Sequence, residues 1–203
     1  VLSRLPIIGL FGSGTKLTPE RAALARDIGI LVARLGSHLL TGASYAVTEA
    51  AAEGFMSVKR RRGVLIGTMG RATSTAFDRP GQAQESVQYP NRFIEMVVYT
   101  TLPDASRGQD APERHLVNIH SSNAVIALPG SVGTHDELQM AATFDGESAK
   151  KPDERRTLLI GPAEEFSREL RNLFVHAPNL DDAKRHICHV LAMQGFMVER
   201  QVP

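Results

Sequence analysis

The residues of this chain best placed for chemistry stand between Ala127 and Glu137, where the order is Ala-Leu-Pro-Gly-Ser-Val-Gly-Thr-His-Asp-Glu. Gly130 and Gly133 permit backbone angles and a close ligand approach that larger side chains resist. Thr134 is expected to cap a helix. The free N–H groups at such a start, together with the positive end of the helix dipole, favour a phosphate without any lysine. Ser131 lies in the same turn. Glu137, three residues after Thr134, is expected in the first helical turn. There its carboxylate either folds back onto the backbone as the second half of a capping box or points into the crevice.

The run Ala124 to Leu128 before this turn is apolar throughout and reads as a buried parallel strand. Similar short runs alternate with helical periodicities along the whole chain, the pattern of a parallel sheet covered on both faces. Ile7 to Phe11 makes the first strand and Gly12-Ser13-Gly14 a turn. Thr18-Pro19 then opens a helix whose Leu24, Ile28, Leu31 and Leu35 keep helical spacing until Gly36 stops it. Ser37 to Leu40 is a second strand, Thr41 to Ala46 a second turn, and an alanine-rich helix runs through Phe55. Val64 to Ile66 is a third strand, Phe93 to Thr100 a fourth, and a helix from about Pro112 to Ser121 turns Leu116 and Ile119 to the sheet.

Thr68 to Asn91 has no periodicity and reads as a long loop. The charged stretch Asp145 to Arg156 reads as a connection to a strand over Thr157 to Ile160. Two helices close the chain, one marked by Phe166, Leu170 and Leu173, the other by Ala183, Ile187, Val190 and Leu191. The expectation is an α/β fold, one Rossmann-like domain over residues 1–203, with a parallel sheet and helices on both faces.

Three turns fall at strand ends: Gly12 to Gly14, Thr41 to Ser44, and Pro129 to Thr134. Jointly they could surround a nucleoside monophosphate, with Ser13, Thr41 and Gly42 beside Gly130, Ser131, Gly133 and Thr134. The first turn completes neither the dinucleotide fingerprint nor a Walker loop, which disfavours a nicotinamide dehydrogenase and a P-loop nucleotidase. A metal is not expected, because His115, His120 and His135 form no zincin-type pair.

A net charge of +1 supplies no field that would gather nucleic acid, so no nucleic-acid partner is expected, and Lys59 to Arg62 reads as a solvated helix end. The single cysteine, Cys188, excludes an internal disulfide framework and reads as a small core residue. With no signal-peptide pattern and no apolar run of spanning length, a cytoplasmic protein without membrane contact is expected.

The segment from Arg114 to Glu137 resembles the Rossmann-like family of Lonely-guy phosphoribohydrolases, often labelled lysine decarboxylases. That family also holds nucleotide 5′-monophosphate nucleosidases and molybdenum-cofactor carrier proteins. The family pattern Pro-Gly-Gly-x-Gly-Thr-x-x-Glu is met by Pro129, Gly130, Gly133, Thr134 and Glu137, with Ser131 replacing the second glycine. Arg114 falls at the family's interval for its active-site arginine. His115 stands where the hydrolases carry lysine, Asn123 where they carry aspartate, and Ala43 and Ala46 replace two glycines of the earlier turn. The resemblance covers about residues 6 to 175 in element order.

The resemblance implies hydrolysis of the N-glycosidic bond of a nucleoside 5′-monophosphate to free base and ribose 5-phosphate. Glu137 would stabilise the oxocarbenium-like ribose and Arg114 would hold the substrate or assist the leaving base. No cofactor is expected. Pyridoxal phosphate needs a Schiff-base lysine, and no lysine falls at a strand end in the proposed crevice. The competing expectation is a carrier or sensor that holds a nucleotide or the molybdenum cofactor intact. A homodimer or larger homo-oligomer is implied by the family.

Overall fold

The computed structural model describes residues 4–14, 17–69, 90–100, 111–130, 132–144 and 150–197. Along them the order is β1 (Ile7–Phe11), α1 (Pro19–Arg34), β2 (His38–Thr41), α2 (Val47–Ser57), β3 (Leu65–Met69), β4 (Met96–Tyr99) and α3 (Ala111–Ser121). Then follow β5 (Ala124–Ala127), α4 (Val132–Phe144), β6 (Thr157–Ile160), α5 (Arg168–Leu173), β7 (Val175–Ala177) and α6 (Leu180–Met193). The strands form one parallel α/β sheet in the order β4-β3-β2-β1-β5-β6-β7. The chain moves outward from β1 to β4 and then returns to the other side of β1. The crevice between the carboxyl ends of β1 and β5 is therefore the topological switch point where open α/β sheets bind ligands.

Strand alternation decides which helix covers which face. Ile8, Leu10, Leu39, Leu65 and Ile126 point into a core shared with α1, α2 and α6. Phe11, Val125, Ala127 and Leu159 point the other way, to Ile119 of α3, Leu138 of α4 and Leu170 of α5. Thr18 caps α1 by accepting from the Arg21 N–H at 3.2 Å, with Pro19 in the first helical position. The helix ends at Leu35 and Gly36, whose φ of +69° suits glycine.

Four sequence expectations shift. The strand expected over 93–100 is confined to Met96–Tyr99, because Phe93 and Ile94 belong to a turn in which the Ile94 N–H donates to Asn91. β3 begins at Leu65 and runs on to Met69, so the expected loop yields its first two residues to it, while residues 70–89 lie outside those described. The three-residue β7 carried no period of its own and is held by pairing with β6. Finally α3 does not turn Leu116 inward. Its buried face is His115, Asn118, Ile119 and, past its end, Ser122. Cys188 is half-buried against the α1–α2–α6 core, and burial pushes its thiol pKa up, against the smaller opposite effect of Lys184.

Candidate ligand cleft at the sheet switch point

The register Leu10 beside Thr41 and Phe11 beside Ala127 brings the ends of β2, β1 and β5 level at one edge of the sheet. The turns leaving these strands are tied together. The Leu128 N–H donates to the Phe11 carbonyl at 3.0 Å, and the Val47 N–H, first in α2, donates to the Ser13 carbonyl at 3.2 Å. A side chain at Gly12 would fall 2.5 Å from Val47 Cγ1, so the β1 turn lies flat on the start of α2. Between the turns opens a cleft of about 210 Å³, walled by Gly12, Gly14, Gly42, Ser44, Thr48, His115, Gly133, Thr134 and Glu137 over a floor of Leu10 and Phe11.

Two helix starts reach this cleft, α2 through Thr48 and α4 through Gly133 and Thr134. No side chain caps α2. The Thr48 hydroxyl donates to the Tyr45 carbonyl at 3.1 Å, which spends its one proton, so Ser44, 3.1 Å away, donates to Thr48. Thr41 lies beneath the wall, fully buried, where its hydroxyl accepts from the Ala43 N–H at 3.1 Å. Ser13 is buried in the turn and contributes its carbonyl as described.

The α4 start corrects the expected cap. The helix begins at Val132, so Thr134 is a first-turn residue and Glu137 belongs to the second turn; no acidic residue occupies the first. The capping box between them is therefore not what places Glu137 here. Thr134 packs instead against the turn: a Cβ on Gly130 would lie 2.0 Å from Thr134 Oγ1. Neither Gly130 nor Gly133 adopts positive φ. The first is needed for that close approach, while a Cβ at the second would meet nothing within 4 Å, since it faces the open cleft. Ser131 and the Arg114 side chain lie outside the described residues; the Arg114 backbone belongs to α3.

Glu137 is 8% exposed, and its Oε1 lies 3.3 Å from Nε2 of His115, itself 3% exposed. Sequence reasoning passed over His115 as a site residue, though its spacing to Asn118, Ile119 and Ser122 marks one helix face. Ser44 and Thr48 were missed as well, for want of any signal beyond standing near a glycine. Below His115, Thr68 shares short hydrogen bonding with Asn118 and reaches the Thr41 carbonyl at 3.3 Å. Among the described residues no group of three or more His, Cys, Asp or Glu is placed to hold a metal ion.

A seven-stranded parallel sheet with a switch-point cleft walled by strand-end turns defines an α/β protein of Rossmann-like fold. Residues 5–147 match the model of the SLOG cluster4 family, and the chain belongs to that family. The chain is similar to the molybdenum cofactor carrier protein of Chlamydomonas reinhardtii, with 23% identity, 93% of this chain and 99% of that one covered, and a TM-score of 0.63. It is similar to the molybdenum cofactor binding protein of Rippkaea orientalis at 25% identity, 93% and 98% coverage and a TM-score of 0.63. DNA processing protein A of Helicobacter pylori, described as binding single-stranded DNA, shares the fold at 12% identity, with 95% and 82% covered and a TM-score of 0.60. The Lonely-guy resemblance thus holds at the level of the Rossmann-like superfamily. No helix among the described residues is long and apolar enough to cross a membrane.

Proposed function

We propose that this protein binds and carries a phosphorylated small molecule, the molybdenum cofactor being the ligand its structural neighbours suggest, and leaves that ligand intact. The carrying observation is the composition of the cleft wall: turn backbone, two helix starts, and a carboxylate already engaged by its neighbour His115. Helix starts suit anions at either end of a ligand. Gly130, Ser131, Gly133 and Thr134 would take the phosphate. Gly42, Ser44 and Thr48, with Ser13 and Thr41 shaping their turn, would face the second polar end. Arg114 keeps a ligand-holding role on its place in the sequence alone. The cofactor is cargo in this reading, and the open space over Gly133 is where it would approach the backbone. A homodimer or larger homo-oligomer belongs to the same proposal, and light scattering decides it.

The test is anaerobic co-elution with purified molybdenum cofactor, followed by transfer to an apo-molybdoenzyme whose activity reports intact cargo. Retention and transfer are expected; neither occurring refutes the carrier. One observation favours a second reading, phosphoribohydrolysis: Glu137 faces the cleft instead of capping α4. In that reaction water attacks C1′, the C1′–N bond breaks and the base leaves protonated, so chromatography of a nucleoside monophosphate panel would show free base. The charge of +1 argues against single-stranded DNA as ligand, and a filter-binding assay checks that.

A further inference from the structure

The second cradle turn holds two alanines in backbone conformations that alanine resists, Ala43 at φ +56° and Ala46 at φ +54°. Something must hold them there, and one residue outside the turn does. Asn91 is 2% exposed; its N–H donates to the Ala43 carbonyl at 3.0 Å and its Nδ2 to the Ser44 carbonyl at 2.8 Å. Its Oδ1 accepts from the Phe93 N–H at 3.2 Å, and its own carbonyl accepts from Ile94, so the clamp is itself braced. Gly67 leaves the room the Ala43 methyl occupies: a Cβ at Gly67 would lie 2.8 Å from Ala43 Cβ and 3.0 Å from Ile94 Cγ2.

We propose that Asn91 is a positioning residue for ligand binding: it clamps the strained turn through Ala43 and Ser44 and thereby sets Gly42, Ser44 and Thr48 in the cleft wall. The carbonyls that accept from it are those flanking the Ser44 side chain, so losing the clamp lets that wall move while the core below stays packed. This inference rests on the cleft being the ligand site.

The test uses Asn91→Asp, which keeps the acceptor for Phe93 but sets a carboxylate against the Ser44 carbonyl. Hydrogen exchange read by mass spectrometry is expected to speed up at least about tenfold over residues 43–50, as for loss of one buried hydrogen bond, with β5 and β6 unchanged. Uniform acceleration or none overturns the clamp. With molybdenum cofactor as the probe, the same variant is expected to bind at least about tenfold more weakly, and the added Ala46→Gly change, which relaxes the turn, to recover part of that loss. Parent-like affinity despite lost protection overturns the link to the ligand. If the parent itself retains no cofactor, the carrier reading fails, and the exchange result alone upholds or overturns the clamp.

Discussion

Ala46→Gly is expected to stabilise the protein, a result opposite to the usual effect of introducing glycine. Ala46 precedes α2 at φ 54°, ψ −111°, the place of the first central residue of a type II′ turn, where glycine dominates. Holding alanine there costs on the order of 1–3 kcal/mol. Against this stands the extra freedom glycine gives the unfolded chain, about 0.4–1 kcal/mol. The Ala46 methyl is half-buried, and its loss costs about half of the ~0.8 kcal/mol of a buried methylene. The middle of these ranges leaves a gain of about 1 kcal/mol, or a Tm rise of roughly 2–4 °C for a chain of this size. Ala43 supplies the control. It shares positive φ but is fully buried, so about 1–2 kcal/mol of relieved strain is offset by a whole methyl and the same unfolded-state entropy, and Ala43→Gly is expected to be nearly neutral. Calorimetry and urea titration with an unchanged m value measure both. A Tm loss in Ala46→Gly, or an equal gain in the two variants, would refute the strain argument.

Gly67→Ala is expected to destabilise by about 1–3 kcal/mol through overpacking on Ala43 and Ile94, and Ala43→Gly to recover part of it; additivity in the double-mutant cycle would contradict the contact. Gly130→Ala forces its Cβ onto Thr134 Oγ1, so the turn must shift, and cofactor retention on a sizing column is expected to be lost while the far-UV spectrum stays native. Glu137→Gln removes a negative charge from a cleft meant for an anion, so the carrier reading expects affinity by equilibrium dialysis to rise, by up to about tenfold, whereas the hydrolase reading expects base release to vanish. Burial lowers the pKa of His38 and of His186 below 6.5, the Arg155 carbonyl acting the other way at His186. The unfolded chain then binds more protons, so stability from these groups is full above about pH 6.5 and lost as pH falls through their folded pKa values. Thermal melts from pH 7.5 to 5 are expected to show that fall, with a shallower slope in His38→Asn.

The architecture was legible because each strand that positions the site is a short apolar run and each is followed by a turn residue or a helix cap. Thr18-Pro19 opens α1 and Gly36 closes it as read. What failed were features that depend on a partner. β7 exists through β6, and the fourth strand is shortened because Asn91 draws Phe93 and Ile94 into a turn. The start of α4 was misread by three residues because Thr134 looks like a cap in sequence, while its side chain is committed to the space above Gly130. That error put Glu137 in the first turn of the helix instead of the second, while the crevice-facing alternative for its carboxylate is the one seen.

The glycine replacements show where sequence reading stops. Ala43 and Ala46 stand where a glycine-rich turn was expected, and a sequence leaves two outcomes open: the turn relaxes to suit alanine, or alanine is forced into the turn. The second holds, since both residues sit at positive φ. A strained backbone persists only where its surroundings over-determine it, and such strain gathers at ligand clamps and active sites. Here the surroundings are identifiable: Asn91 on the turn's carbonyls, Gly67 leaving room for the Ala43 methyl, and the Ser13 carbonyl receiving the first N–H of α2. Three separate segments thus converge on one turn whose relaxation would stabilise the chain. A fold that keeps such a turn strained is holding Ser44 and Thr48 in a particular place, and that is the placement the proposed ligand site in the cleft they line requires.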